Sequence, residues 1–383
     1  MLEPTQLRIS GERFTATYRL AIKQESDARS LAKLICAEQT VEFPVDLIPD
    51  DDISRYIVGR IESLEQDVDA HIAVISYAVE CVGGALPQLL NVLFGNCSLI
   101  PGVRLIDIDL PVSMLDSWHG PRFGVSGIRR LTHVSERPLT MTALKPMGQS
   151  VERLAIMASD FATFGIDFIK DDHGLASQPF CDFKERVQEC SKSVQRANQD
   201  HGTSARYCPS LNVRADEVSV AARFARDLGV GGLLVLPGLY GFDTMRSLAD
   251  NDDLDLPIIA HPSFLGSHAN ARDGGIDPGV LFGTFMRLAG ADIVVFPNYG
   301  GRFSVLPDVC QSVIDCLRAP LGALAQALPA PAGGMKVERV PEMIGFYGSD
   351  VTLLIGGELH RGDRREKAKK MTAAVIGSSR DIR

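Results

Sequence analysis

Eight short apolar segments, separated by helical patterns, fill the C-terminal two thirds of the chain and restrict its possible folds more than any other feature. They have the length of strands and lie at 139–145, 166–170, 206–212, 231–236, 257–261, 292–296, 329–333 and 351–355. Between the first two, Val151, Leu154, Ala158 and Phe161 recur on one helix face. Eight strands alternating with helices over about 240 residues predict an α/β fold, a (β/α)8 TIM barrel, with its active site at the C-terminal strand ends. A doubly wound open sheet is the alternative.

The first 130 residues follow a different pattern. Strand-like segments lie at 7–22, 60–61, 70–79 and 103–110, and helical spacing appears at 26–36 and 87–94. Pro111 and the run from Trp118 to Pro121 then interrupt both kinds of pattern. We therefore predict two domains, an α+β N-terminal domain at residues 1–130 and the barrel at residues 131–383.

Composition and charge exclude several classes of protein. No apolar run nears the roughly 18 to 20 residues of a membrane span, so we expect no membrane partner. The net charge of −9 and the lack of a Lys/Arg stripe argue against nucleic acid. The 8 cysteines contain no Cys-x-x-Cys pair, which favours reduced thiols over zinc ligands or disulfides. Because Met1–Pro4 begin the chain without a basic and apolar leader, we expect a cytoplasmic protein.

Polar residues and glycines stand where the predicted strands end. An isolated Lys-Asp-Asp-His run, such as residues 170–173, is better explained by a solvated turn. Several such strand ends that converge on one face favour an active site instead. In the barrel, this face would present the following residues: Lys145, Lys170, Asp172, His173, Asn212, His261, Asn298, Gly333, Gly334, Gly356, Gly357 and Glu358.

Three of these positions suggest particular chemistry. Lys145 ends a largely apolar strand, so its amine must be either ion-paired or neutral. The glycine pairs 333–334 and 356–357 let backbone N–H groups approach a phosphate, and glycines that merely turn the chain are the alternative. His261 is either a substrate contact or a satisfied core histidine.

Lys170 cannot bind a metal as an ammonium. Addition of CO2 to its neutral amine would create an oxygen anion, which with Asp172 would form the hard oxygen site that Mg²⁺ requires. Before that modification, Lys170, Asp171 and Asp172 together carry about one negative charge.

The segment Gly165–Phe180 resembles the metal-site strand and loop of RuBisCO, and more closely that of the non-carboxylating RuBisCO-like proteins. It contains Lys170-Asp171-Asp172 and Ser177-Gln178-Pro179-Phe180. The resemblance implies both predicted domains, and a homodimer in which the N-terminal domain of each subunit completes the partner's active site. Further similarities follow in the family's order along nearly the whole chain: Ala37-Glu38, Gly95-Asn96, Gly120-Pro121, Lys145-Pro146, Gly333-Gly334 and Gly356-Gly357.

The resemblance also implies roles for single residues. Lys170 would carry the carbamate and bind Mg²⁺ or another divalent metal such as Mn²⁺, together with Asp172 and His173. Lys145 would transfer protons, and His261 would contact the substrate. The remaining residues would bind the substrate or its phosphate: Gly333, Gly334, Gly356 and Gly357 from the barrel, and Glu38 and Asn96 from the partner subunit.

The sequence departs from the family pattern at several positions. Carboxylases carry a mobile lysine in the loop after strand six, whereas no lysine lies between Asp292 and Gly334 here, and Arg302 is the candidate substrate-binding cation of that loop. Carbon fixation is therefore not expected. His173 replaces the family's glutamate, and imidazole is a softer ligand that suits transition metals better than Mg²⁺. Met147 and Ala332 replace a lysine and a serine that contact one end of the substrate.

These features favour an isomerase or enolase that forms the metal-stabilised enolate of a phosphorylated ketose. Candidate substrates are 5-methylthioribulose 1-phosphate and related pentulose phosphates of methionine salvage. One alternative is a decarboxylase, or a transcarboxylase/hydrolase, of a phosphorylated 3-oxo sugar acid such as 3-oxo-isoapionate 4-phosphate. Another is a non-catalytic homologue that binds a metabolite or has a regulatory role. Retention of Lys145, Lys170 and Asp172 argues against this last possibility.

Overall fold

The computed structural model describes residues 7–49 and 51–380, so Met1–Pro4, on which the cytoplasmic expectation rests, lie outside the described residues. The strands are β1 Arg13–Leu20, β2 Arg60–Gln66, β3 His71–Ala78, β4 Val103–Asp109, β5 Leu139–Leu144, β6 Phe168–Asp171, β7 Arg206–Cys208, β8 Leu233–Val235, β9 Ile258–Ala260, β10 Gly275–Ile276, β11 Ile293–Pro297, β12 Leu328–Ala332 and β13 Thr352–Leu354.

The α-helices of the described residues are α1 Glu25–Glu38, α2 Leu86–Phe94, α3 Val112–Leu115, α4 Gly124–Thr132, α5 Val151–Thr163, α6 Phe183–His201, α7 Val218–Asp227, α8 Pro237–Tyr240, α9 Phe242–Ala249, α10 Gly266–Ala269, α11 Phe285–Leu288, α12 Pro307–Arg318, α13 Val340–Tyr347 and α14 Arg364–Arg380. Two 3-10 turns, Val337–Arg339 and Gly357–His360, follow β12 and β13. No helix in this part of the chain is long and apolar enough to cross a membrane.

The chain divides into two compact units, and the first is built on one five-stranded sheet. It comprises the described residues up to Trp118 together with Leu265–Leu281 and Leu321–Leu324. The strand order is β10-β4-β1-β3-β2, in which β1 pairs antiparallel with both β3 and β4. Buried and partly exposed residues alternate along β1, as expected for a strand with one face on a core.

The second unit contains the eight predicted strands. It begins at His119, so the predicted domain boundary at residue 130 falls within α4 of this unit. All eight strands are confirmed, as β5 to β9 and β11 to β13, although several are shorter than predicted. Because helices follow most of them, the strands are covered on both sides, and most of their residues are buried.

The eight strands are parallel and follow one another in space as they do in sequence. One sheet has the order β13-β5-β6-β7, and the other has the order β12-β11-β9-β8. A parallel bridge between Ser210 and Leu234 joins the end of β7 to β8, and β12 lies beside β13.

One buried apolar cluster receives a side chain from each of these eight strands. Full burial of a Leu, Ile or Phe side chain contributes about 1.5–3 kcal/mol, so this cluster is a main source of the unit's stability. Helix α4 and the segment after it close the cluster with Ile128 and Val134. The strand residues are Leu139, Met141, Phe168, Cys208, Leu234, Ile259, Ile293, Val295, Leu328, Ala330 and Leu354.

Candidate active site

The period of two along a strand determines which side chains reach the candidate site. Phe168 belongs to the buried cluster, so Lys170, two residues later, leaves β6 on the same side. The same relation connects Ile259 with His261, and Leu354 with Gly356. Side chains at the C-terminal strand ends therefore lie on the same side of each strand as the buried apolar cluster. They form a polar layer next to that cluster.

Four of the predicted site residues are joined by direct contacts at this end of the strands. Lys145 Nζ lies 2.5 Å from Asp172 Oδ1, and His173 Nδ1 lies 3.3 Å from the same oxygen. The His173 ring stacks on His261 with 4.4 Å between centroids and 15° between planes. Lys145 is therefore ion-paired, one of the two states that the sequence allowed.

Lys170 lies beside this group and is almost fully buried, with 2% of its surface exposed. Its Nζ donates to the Asp171 carbonyl at 3.0 Å. Loss of solvent around the amine, helped by the positive charge of Lys145 and opposed by Asp172, lowers the pKa of Lys170 to about 8. The neutral amine that carbamylation requires is therefore more populated near neutral pH than it is for an ordinary lysine.

The pKa values of Asp172 and His261 are shifted in ways that separate their roles. Burial raises the pKa of Asp172, but hydrogen bonds from His173 and Lys145 more than offset this effect and hold it well below its usual range. Burial, together with the positive charges of Lys170 and His173, holds the pKa of His261 well below its usual range. Asp172 is thus a carboxylate and His261 a neutral imidazole at neutral pH.

The tautomer of His261 follows from its neighbour Ser263. The Ser263 N–H donates to His261 Nδ1 at 3.2 Å, and the Ser263 hydroxyl lies 2.9 Å from the same nitrogen. Because Nδ1 accepts this backbone hydrogen bond, the neutral ring carries its proton on Nε2.

Asp171 has a structural role, because its carboxylate is paired with a buried arginine. Its side chain points to the opposite side of β6 from Lys170, where Arg186 Nε lies 3.0 Å from Asp171 Oδ2 and both side chains are fully buried. The Tyr207 hydroxyl donates to Asp171 at 2.8 Å, and the Ser210 N–H donates at 3.1 Å. The sequence contains no local signal for this network, because Arg186 belongs to α6 and Tyr207 to β7.

The glycine pair 333–334 is packed against the loop that carries Arg302. Both glycines have positive φ, +93° and +102°, which favours glycine over other residues. The Arg302 N–H donates to the Gly333 carbonyl at 2.8 Å, and the exposed Arg302 guanidinium lies over the Phe303 ring. The structure therefore brings Arg302 and this predicted phosphate site together.

The second glycine pair lies near Lys145. A Cβ atom placed on Gly356 would lie 3.6 Å from Lys145 Cε. Two contacts hold this segment on β5: the Thr142 hydroxyl donates to the Ile355 carbonyl at 2.9 Å, and His360 Nε2 lies 3.0 Å from the Ala143 carbonyl. Sequence reasoning missed His360, whose only signal is its position three residues after Gly357.

Other strand-end residues serve the surrounding structure. Asn212 donates to the His173 carbonyl at 3.2 Å and so fixes the loop after β6. Asn298 is buried and accepts a hydrogen bond from the Tyr347 hydroxyl at 2.5 Å. Glu358 is paired with Lys367 at 3.0 Å and with Arg361.

Glu38 and Asn96 belong to the first unit, at the end of α1 and just after α2. The Asn96 amide lies 3.4 Å from Glu38 Oε2. The two residues predicted to come from the partner subunit therefore form one contact pair.

The donor chemistry fits a divalent cation when Lys170 is modified. Within residues 7–49 and 51–380, no three His, Cys, Asp or Glu side chains form a group that could hold a metal ion. Asp172 and His173 supply two neighbouring donors, and a carbamate on the buried Lys170 amine would supply the oxygen anion that the set otherwise lacks.

Comparisons with known proteins show the family of the chain. Residues 124–368 match the family described as ribulose bisphosphate carboxylase large chain, catalytic domain. The chain belongs to the RuBisCO large-chain family. A relative from Rhodospirillum rubrum, named 5-methylthioribulose-1-phosphate isomerase, is 40% identical over 370 residues, which cover 96% of each chain.

Two further comparisons place the chain in the RuBisCO-like, non-carboxylating branch of the family. A crystal structure of a Rubisco-like protein from Rhodopseudomonas palustris has a TM-score of 0.86 and 36% identity, and the alignment covers 95% of this chain and 97% of that one. A 2,3-diketo-5-methylthiopentyl-1-phosphate enolase from Geobacillus thermodenitrificans is 30% identical over 361 residues, 90% of this chain and 87% of the relative. The resemblance predicted from the sequence is confirmed.

Proposed function

We propose that this RuBisCO-like protein is an isomerase or enolase acting on a phosphorylated ketose, with 5-methylthioribulose 1-phosphate as the first candidate substrate. The observation that carries the proposal is the contact group of Lys145, Asp172, His173 and His261 beside the buried Lys170 amine. The name of the Rhodospirillum rubrum relative supports the choice of substrate.

Lys145 is the proposed acid-base group. After it loses the proton that ion-pairs it with Asp172, its Nζ accepts the proton from the carbon next to the substrate carbonyl. As an ammonium, it returns that proton to the former carbonyl carbon, while the hydroxyl proton of the adjacent carbon moves to the former carbonyl oxygen, so the carbonyl changes position and the substrate is isomerised with no net gain or loss of protons. Asp172 orients Lys145 through their 2.5 Å contact, and His261 can donate from Nε2 to a substrate oxygen.

We propose that Lys170, as a carbamate, holds Mg²⁺ or Mn²⁺ together with Asp172 and His173. When bound, the cation polarises the substrate carbonyl and stabilises the enolate. Arg302, Gly333, Gly334, Gly356 and Gly357 are the proposed ligands of the phosphorylated substrate. Family membership supports the proposed metal ligands in general, and the buried amine of Lys170 supports them in this chain.

The arrangement of the strands and the subunits is also part of the proposal. Three observations support closure of the eight strands into a (β/α)8 barrel. The strands are neighbours in their sequence order, a bridge joins β7 to β8, and all eight contribute to the same apolar cluster. Family membership supports a homodimer in which the Glu38–Asn96 pair enters the partner's site. Turnover per subunit should then fall on dilution below the dimer dissociation constant, and an undiminished rate from a stable monomer would contradict this.

Deuterium exchange tests the proposed reaction. In heavy water with bicarbonate and MgCl2, the protein should incorporate deuterium into 5-methylthioribulose 1-phosphate next to its carbonyl. Lys145→Met should lower that rate by about 10²- to 10⁴-fold with an unchanged circular dichroism spectrum.

Loss of CO2 from a phosphorylated 3-oxo acid, without exchange into any pentulose 1-phosphate, would favour the decarboxylase instead. Labelled bicarbonate should give no stable acid from ribulose bisphosphate, because the loop after β11 carries no lysine.

A further inference from the structure

The loop of residues 298–303, called the Arg302 loop, is attached on one side to the glycine pair 333–334. The Asn298 N–H donates to the Ala332 carbonyl at 2.8 Å, and the Arg302 N–H donates to the Gly333 carbonyl at 2.8 Å. At Gly301, an added Cβ would lie 2.2 Å from that Gly333 carbonyl. The two backbones are therefore in direct contact, and any movement of the loop would disturb the glycine pair.

On its other side the Arg302 loop is held by Arg339, which follows the glycine pair in sequence. Arg339 Nη1 donates to the Gly300 carbonyl at 3.1 Å and to the Tyr299 carbonyl at 3.4 Å. Gly300 has a φ of +62°, and a Cβ there would approach the same Nη1 to 2.9 Å.

Arg339 is itself fixed by a carboxylate and an aromatic ring. Its Nε and Nη2 donate to the two oxygens of Glu342 at 2.8 and 2.6 Å. The guanidinium carbon lies 5.3 Å from the centre of the Tyr299 ring, and the Tyr299 hydroxyl donates to Glu342 at 3.1 Å. The Tyr299 ring also packs on Phe346 at 4.8 Å.

An ordinary surface ion pair does not account for this arrangement. Exposed pairs contribute only about 0–1 kcal/mol, and Glu342 is half exposed. The planar fork of arginine, however, can bind a carboxylate with two nitrogens and still offer the third to carbonyls, which lysine cannot do. All three guanidinium nitrogens of Arg339 thus serve to connect α13 with the Arg302 loop.

We propose that Arg339 is a positioning residue that holds the Arg302 loop against Gly333 and Gly334 before substrate binds. Substrate then meets a preformed anion site, and no binding energy is spent on ordering the loop. The inference rests on the proposed function in assigning Arg302 and the glycines to the phosphorylated substrate.

Amide hydrogen exchange of the free protein, followed by mass spectrometry, tests the proposal without any need for turnover. Arg339→Met should accelerate exchange in peptides covering residues 298–303 by about tenfold, because opening no longer breaks the bonds to Gly300 and Tyr299. Arg339→Lys, which keeps the charge but not the fork, should give an intermediate rate. The affinity for inorganic phosphate, used as the probe, should fall several-fold in Arg339→Met.

Arg226 provides a matched control. It also joins a carboxylate and a carbonyl, donating to Asp227 at 2.9 Å and to the Asp253 carbonyl at 2.6 Å, at the end of α7. Arg226→Met should leave both exchange in residues 298–303 and phosphate affinity at wild-type values. Unchanged exchange in Arg339→Met, or the same response in both variants, would overturn the proposal, as would faster exchange with undiminished phosphate affinity. A wild-type protein that binds no phosphate would refute the assigned phosphate site, while exchange would still decide whether Arg339 holds the loop.

Discussion

The two ends of the eight parallel strands use carboxylates in opposite ways. At the N-terminal ends, Asp167 accepts two hydrogen bonds from Arg137 at 2.7 Å and two more from Thr140. Asp292 accepts from three backbone N–H groups that belong to α4 and β9. At the C-terminal ends, Asp172 is shared between Lys145 and His173.

The carboxylates at the two ends differ in the kind of partners that they bind. Asp167 and Asp292 are buried and each join several segments, so their role is to stabilise the fold. Asp172 is surrounded by groups whose protonation can change, and a bound cation or substrate can replace one of its present partners. The same residue type therefore supports structure at one end and chemistry at the other.

The largest effect is expected from removing Lys170 at the C-terminal ends of the strands. Lys170→Ala should lower turnover by at least about 10³-fold and abolish the activation by bicarbonate and Mg²⁺ or Mn²⁺ together, because no carbamate can form. Steady-state assays with and without bicarbonate measure this. Lys192→Ala, an exposed lysine on α6, is the control and should behave as wild type. Wild-type turnover in Lys170→Ala would refute the metal mechanism.

The next effect concerns the buried pair on the other face of β6. Arg186→Met leaves Asp171 charged and unpaired in the interior, which should lower the free energy of unfolding by about 3–5 kcal/mol. Urea unfolding measures the loss. The exposed pair of Arg196 and Asp200 provides the control, since Arg196→Met should cost less than about 1 kcal/mol. Equal losses in the two variants would contradict a structural role for Asp171.

A smaller effect is expected from pH at the N-terminal ends. Burial, partly offset by its three backbone hydrogen bonds, raises the pKa of Asp292 to about 6. The folded state therefore prefers the protonated form of Asp292. The contribution of this preference to the free energy of unfolding is fully present below the unfolded pKa of about 4, and it is lost as the pH rises to about 6. The stability difference between the wild type and Asp292→Asn should therefore change by roughly 2 kcal/mol between pH 4 and pH 7, to the disadvantage of the wild type at pH 7. Urea unfolding at both pH values measures it, and a constant difference would contradict the shift.

The smallest effect is expected from changing one metal ligand. His173→Glu replaces imidazole with a carboxylate, so Mg²⁺ in the presence of bicarbonate should bind about tenfold more tightly. Titration calorimetry measures the affinity. His201→Glu at the exposed end of α6 should have no effect on it. Unchanged affinity in His173→Glu would mean that position 173 does not contact the cation.

The sequence predicted the strands because their residues repeat in patterns that have local causes. Apolar runs such as 139–145 and 292–296 must be buried, and the glycines and prolines between segments interrupt them. Lys145, Lys170 and His261 could be predicted as site residues because each directly ends or follows such a run. Nothing equivalent marks Arg339 or His360, which lie in turns and whose partners are backbone carbonyls of distant segments.

Sequence alone therefore determined the eight parallel strands, the end of the strands at which the candidate site lies, and the resemblance to RuBisCO-like proteins. These properties depend on local periodicity and on the order of short motifs. The tertiary structure decided which of two adjacent aspartates faces the site: Asp172 meets Lys145, while Asp171 meets Arg186. Adjacent residues of a strand point to opposite faces, and only the packing of α6 against β6 determines which face holds a buried arginine.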